Sequence, residues 1–109
     1  MSGLPAVPEI EVDELARLRD AGAPLIDVRN PDEYDKVRVP GARLIPLPEV
    51  PERVGEIDAG STVYVICATG ARSARAVEFL NRQGLDTVNV RGGTKAWVEA
   101  GYPVESGAG

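Results

Sequence analysis

Three short apolar runs punctuated by polar and glycine-bearing turns set the rhythm of this chain. The strongest is Ser61-Thr62-Val63-Tyr64-Val65-Ile66, β-branched and aromatic almost throughout, which predicts a strand. Pro24-Leu25-Ile26-Asp27-Val28 and Asp86-Thr87-Val88-Asn89-Val90 predict two more. Ala42-Arg43-Leu44-Ile45 is a weaker fourth, and Glu9-Ile10-Glu11-Val12 a marginal fifth. The runs are near-continuous rather than alternating, as in strands covered on both faces.

Helical spacing fills the gaps between them. Asp13 to Ala21 places Leu15 and Leu18 on one face and stops at Gly22. Arg72 to Gln83 places Val77 and Leu80 together with Ala76 beside them; Gly84 is the expected left-handed cap, with Leu85 as its apolar contact. Thr94 to Ala100 is a third short helix, ended by Gly101, and shorter turns are expected over Pro31–Val37 and Pro48–Val54. Strands alternating with helices predict an α/β fold with a mostly parallel sheet. No linker divides the chain, so one domain is expected over residues 8–105, with loose ends at 1–7 and 106–109.

Composition narrows the function. The 109 residues fit one domain, and 43% hydrophobic with 27% charged is ordinary for a globular chain. The net charge of −5 speaks against nucleic acid and against an anionic membrane surface. The first residues lack the basic and apolar segments of a signal peptide, and the longest apolar run, Val63 to Ala68, is too short to span a bilayer. The cytoplasm is the expected location.

There is one cysteine and no histidine. An internal disulfide is impossible, a zinc site is not expected, and Cys-His or Ser-His-Asp catalysis is excluded for want of an imidazole. No cofactor is expected. Cysteine chemistry must therefore activate the thiol by other means. Cys67 ends the strongest strand, where α/β folds bind ligands. The small residues Ala68, Thr69, Gly70 and Ala71 follow, then Arg72 and Ser73 at the start of a predicted helix. Such a loop can turn successive N–H groups onto one point and add the helix N-terminus and the Arg72 charge. This favours thiolate, drawing the thiol from about 8.5 toward 7 or below. A lone cysteine is more often a small buried hydrophobe, but its place between a strand end and a helix-opening loop favours the nucleophile.

Four blocks resemble the single-domain rhodaneses, which are sulfurtransferases: Leu25-Ile26-Asp27-Val28-Arg29 with Glu33-Tyr34; Val39-Pro40-Gly41-Ala42-Arg43-Leu44-Ile45-Pro46; the Cys67 loop through Gly70, Arg72 and Ser73; and Arg91-Gly92-Gly93-Thr94-Lys95-Ala96-Trp97 with Ala100-Gly101-Tyr102-Pro103-Val104. The resemblance implies a three-layer fold whose five-stranded parallel sheet is flanked by helices. It implies Cys67 as the persulfide-forming nucleophile, residues 68–72 as its cradle, and Asp27 and Arg29 as supporting scaffold. The implied partners are small sulfur donors and acceptors (thiosulfate, cyanide, thiols) or a protein thiol. Arg29 is placed to pair with Glu33, and Trp97 is read as core.

Two positions depart from the family's pattern. Val37-Arg38-Val39 stands where Gly-His-Ile is frequent, with Arg38 read as a solvated surface residue or a substitute positive charge. Ala68 stands where thiosulfate-using members often have a basic residue, which makes the loop less cationic. The alternative of a phosphatase of the same fold needs five residues between cysteine and arginine. Here there are only Ala68, Thr69, Gly70 and Ala71, and the arginine's place is taken by Ser73. A non-catalytic persulfide carrier, sensor or partner-binding domain is the other alternative.

Overall fold

The computed structural model of the chain describes residues 7–107; most of the expected loose ends, 1–6 and 108–109, lie outside them. Five strands, β1 (Glu9–Ile10), β2 (Leu25–Asp27), β3 (Arg43–Leu44), β4 (Val63–Ile66) and β5 (Thr87–Val90), form one sheet in the order β1-β5-β4-β2-β3. All the pairings are parallel, as expected from the apolar runs. The helices are α1 (Val12–Asp20), α2 (Pro31–Lys36), α3 (Ala71–Arg82) and α4 (Gly93–Glu99), with two tight 3₁₀ turns at Leu47–Glu52 and Val54–Glu56.

Every strand end in a parallel sheet must be reached by a crossover, and the helices of those crossovers bury both faces. One face packs Ile26, Val28, Val63, Val65 and Cys67 against Ala76, Val77 and Leu80 of α3 and against Val50. The other packs Leu25, Ile66 and Val90 against Val12 and Leu15 of α1 and Trp97 of α4. β4 is central, and its side chains alternate between these clusters, so Cys67 inherits the α3 side by position alone. Val77 and Leu80 are fully enclosed, and truncating Leu80 to alanine should cost about 2–5 kcal/mol.

The observed elements are shorter than the apolar runs. Ser61 and Thr62 precede β4 because its neighbour β5 begins pairing only at Thr87, opposite Val63. Val12 belongs to α1 rather than to the first strand: the Glu11 carbonyl already accepts the N–H groups of Glu14 and Leu15. Leu85 is buried after Gly84, and its N–H returns to the Leu80 carbonyl, as expected of that helix end. Trp97 is core, 3% exposed, and its indole N–H donates to the Pro103 carbonyl at 2.7 Å.

Arg38 takes neither of its expected roles. It is 8% exposed, its guanidinium lies 4.7 Å from the Tyr34 ring centroid, and it donates to the carbonyls of Tyr34 and Gly107. Its backbone pairs with Glu105 in an isolated bridge. The long aliphatic stem covers apolar surface while the head ties the C-terminal segment to α2. Arg38 is a structural clamp, and its charge is directed away from solvent.

Candidate active site

The site forms where β4 stops. Cys67 is 1% exposed and sits at the mouth of a turn that begins α3. Gly70 caps that helix with φ of +105°, a conformation that suits glycine and turns its N–H onto the sulfur. The Gly70 N–H donates to Sγ at 3.1 Å, and the Ser73 hydroxyl lies 3.2 Å from the same atom. Burial pushes the Cys67 thiol up; hydrogen bonds from the Ser73 hydroxyl and from the N–H groups of Ser73, Gly70 and Thr69 more than offset it. The net result lies below the ordinary thiol value, in the direction the loop predicted.

Ser73 is fully buried and also approaches Asn89 of β5, with Oγ to Oδ1 of 2.5 Å. Asn89 Nδ2 donates to Glu9 Oε2 at 2.9 Å and to the Gly70 carbonyl at 3.2 Å. Sequence reasoning missed Asn89 and Glu9. The available signal was a polar pair, Thr87 and Asn89, on one face of an otherwise apolar strand. Both are buried, and Thr87 is likewise satisfied from α3, by Asn81.

Arg72 stands at the rim, but its charge is already engaged. Its two terminal nitrogens hold Glu33 in a bidentate pair at 2.8 and 2.9 Å, and Glu33 also accepts the Asn30 N–H at the start of α2. The Arg72 side chain holds the Glu33 carboxyl down at about 2. The expected Arg29–Glu33 pair is therefore corrected. Arg29 instead folds back onto Asp27, at 2.8 to 3.1 Å through Nε and Nη2, and donates to the Val37 carbonyl at 2.8 Å. Asp27 and Arg29 are 0% and 3% exposed, so each is a buried charge that needs the other.

The loop is clamped from behind by α4. Thr94 and Lys95 donate their N–H groups to the carbonyls of Cys67 and Ala68 at 2.8 and 3.0 Å, and the Thr94 hydroxyl donates to Cys67 at 3.1 Å. Gly93 lets the two backbone segments touch: a Cβ there would lie 2.5 Å from the Cys67 carbonyl oxygen. Ala68 opens onto a depression of about 350 Å³ that Arg29, Val37, Thr94, Lys95, Val98 and Glu99 also line. A cysteine sulfur that receives N–H groups at the start of a helix is favoured as the thiolate, the nucleophilic form.

Among the described residues, no group of three or more cysteine, aspartate or glutamate side chains is placed to hold a metal ion, and no helix is long and apolar enough to cross a membrane.

Residues 11–100 match the rhodanese-like domain model. The chain is 38% identical over 101 residues to a sulfurtransferase of Allochromatium vinosum, covering 90% of this chain and 94% of that protein. It is 36% identical over 95 residues to the putative sulfur carrier protein YrkF of Bacillus subtilis, covering 84% of this chain but 51% of the relative. The structure of a rhodanese-related protein from Thermoplasma volcanium superposes with a TM-score of 0.85 at 38% identity, over 90% of this chain and 97% of that one. A thiosulfate sulfurtransferase from Pseudomonas aeruginosa gives 0.84 at 33% identity, over 93% of this chain but 20% of its own. A parallel sheet in this order, a cysteine at the end of its central strand and a match across nearly the whole chain establish that this protein belongs to the rhodanese-like domain family.

Proposed function

We propose that the chain is a sulfurtransferase that carries sulfane sulfur on Cys67 as a persulfide. The observation that supports this most directly is the cradle: Sγ receives the Gly70 N–H at 3.1 Å, with the Ser73 hydroxyl at 3.2 Å. The thiolate attacks the outer sulfur of a donor such as thiosulfate. A Cys67–sulfur bond forms, the donor's sulfur–sulfur bond breaks, and sulfite leaves with the bonding pair. The negative charge then rests on the outer sulfur, facing the N–H groups of residues 68–73. Cyanide or a thiol takes that sulfur, and the pair returns to Cys67. No cofactor is required. Parallel initial-rate lines are the expected kinetic pattern.

The functional unit is residues 8–105, working in the cytoplasm on small sulfur compounds or a protein thiol. A persulfide carrier that passes sulfur to a partner without fast turnover is the second reading. The Glu33–Arg72 pair favours it for thiosulfate in particular, because it leaves the rim with little free positive charge to draw in a dianion. The relative named as a putative sulfur carrier points the same way.

Intact-mass spectrometry after incubation with thiosulfate or polysulfide tests the proposal, on the wild type and on Cys67→Ser. Uptake of one sulfur atom by the wild type alone is the expected result. Uptake from polysulfide only would select the carrier reading. Uptake from neither, or rapid aryl-phosphate hydrolysis, would overturn the persulfide chemistry.

A further inference from the structure

The Ser73 hydroxyl faces two acceptors and has one hydrogen. Cys67 Sγ lies 3.2 Å from Oγ, and Asn89 Oδ1 lies 2.5 Å from it. The amide cannot relieve the conflict by turning over, because Nδ2 is held at 2.9 Å by the Glu9 carboxylate and at 3.2 Å by the Gly70 carbonyl. A flip would set Oδ1 against both of those oxygens. Asn89 is 1% exposed and Ser73 0%, so water is not at hand to supply a substitute donor.

We infer that Glu9, Asn89 and Ser73 form a positioning relay that directs the Ser73 hydrogen according to the charge on Cys67. With Cys67 as thiol, its S–H donates to Ser73 Oγ, and the Ser73 hydrogen goes to Asn89. With Cys67 as thiolate, the Ser73 hydrogen turns to Sγ and Asn89 Oδ1 loses its donor. The relay therefore opposes ionisation through Asn89 and supports it through Ser73. Asn89 thereby restrains the help that Ser73 gives to the N–H cradle, so that the unloaded cysteine is less of a thiolate, and less open to oxidation, than the hydroxyl alone would make it.

Once the outer sulfur is bound, the negative charge has moved off Sγ and the Ser73 hydrogen returns to Asn89. It turns back as the outer sulfur leaves and the bonding pair comes home to Sγ. Ser73 thus makes its bond to sulfur when Cys67 is the leaving group, where the bond lowers the barrier. Glu9 sits on the edge strand β1, ahead of the segment 11–100 that matches the family model, and sets the amide orientation from there.

The purpose of the relay rests on the persulfide proposal, but its test does not, because the unloaded thiol can be read with no sulfur donor present. The measurement is the pH dependence of Cys67 alkylation by iodoacetamide. Ser73→Ala should raise the midpoint by about one unit, the weight of one hydrogen bond to a charged sulfur. Asn89→Leu should lower it by a similar amount. In the Ser73→Ala background Asn89→Leu should shift the midpoint far less, since only its bond to the Gly70 carbonyl then links it to the cradle.

Glu9→Ala, at an exposed position that does not threaten folding, should lower the midpoint by less, and Glu9→Gln, which keeps an acceptor, should restore it. The other charges around Cys67 stay in place in every variant: Arg72 with Glu33, Arg29 with Asp27, and Lys95 beside Ala68. Equal shifts from Asn89→Leu in both backgrounds, or a midpoint that does not move with Glu9→Ala, would overturn the relay. Profiles as stated together with no sulfur uptake would keep the relay and overturn the persulfide proposal instead.

Discussion

Two junctions of the same kind lie side by side at the carboxyl edge of the sheet. β4 runs into α3 through residues 67–70, and β5 runs into α4 through residues 91–92. Each helix is capped by a glycine in the left-handed region, Gly70 at φ +105° and Gly92 at φ +79°. Each helix start offers N–H groups that no turn of its own helix can satisfy. They differ in where those groups go. The N–H groups of Thr94 and Lys95 are given to the carbonyls of Cys67 and Ala68. Those of Thr69, Gly70 and Ser73 point at the Cys67 sulfur. The second junction spends its donors holding the first in shape, and the first is left with donors for chemistry. A binding site on such an edge is the junction whose donors face the reactive atom, and the neighbour whose donors go to that junction's backbone is its support.

Breaking the supporting junction should give the largest effect. Gly93 has φ of +63°, and a Cβ would meet the Cys67 carbonyl oxygen at 2.5 Å and the Ala68 carbonyl at 2.6 Å. These are backbone atoms of the cradle, with no side chain to swing aside. Gly93→Ala should cost about 3 kcal/mol or more in urea denaturation. Gly84→Ala is the control: φ is +89°, but nothing lies within 4 Å of the new methyl, so only backbone strain remains. That should cost about 1 kcal/mol. Similar losses at the two sites would mean that the contact between junctions carries no weight.

The same contrast explains what was legible in the sequence. The Cys67 junction was readable because its signals are local: a β-branched run, small residues, a glycine, then a helical period. The sheet and its helices followed from the same kind of signal, with ends displaced by the register of neighbouring strands. The engagement of charges was not readable. Glu33 lies 39 residues from Arg72, and nothing near either one distinguishes that pair from the Arg29–Glu33 pair expected from closeness along the chain. Arg38 looked like a surface residue because the segment that buries it arrives from Glu105. Asn89 and Glu9 meet only through the β1–β5 pairing, 80 residues apart. Pattern along the chain found the groups that make the nest. The partners that set their charge come from the fold.

The charge at the working junction gives the next prediction. Glu33 is held at about 2 against an ordinary value of 4.5, so its ionised form is the one the folded state favours. Its contribution to stability is whole above about pH 4.5 and is lost as pH falls toward about 2. The side chain is 31% exposed, so solvent screens much of this. Glu33→Gln should cost about 1–2 kcal/mol at neutral pH, about half of that or less at pH 3, and about nothing below pH 2, the comparison being made between neutral pH and the lowest pH at which the fold persists. Denaturation at the two pH values checks this, and an equal cost at both would assign the loss to packing or to the α2 cap. Releasing Arg72 should also speed thiosulfate uptake several-fold, because the rim regains a free positive charge.

The smallest change adds charge instead of releasing it. Ala68 is half-buried and opens onto the depression beside Lys95, so a longer side chain there meets space rather than core. Ala68→Lys should leave stability nearly unchanged. Placing a positive charge near an incoming dianion is worth about 0.5–1 kcal/mol in a solvated setting, which is about a two- to five-fold gain in thiosulfate loading at low salt. The gain should fade as ionic strength approaches 1 M, where the screening length is about 3 Å. A thiosulfonate with one negative charge, loaded in parallel, should gain less. If both donors gain equally, the lysine has acted on Cys67 by favouring its thiolate. The alkylation profile of the unloaded protein would then shift as well, and the cradle rather than the rim would be what limits sulfur uptake.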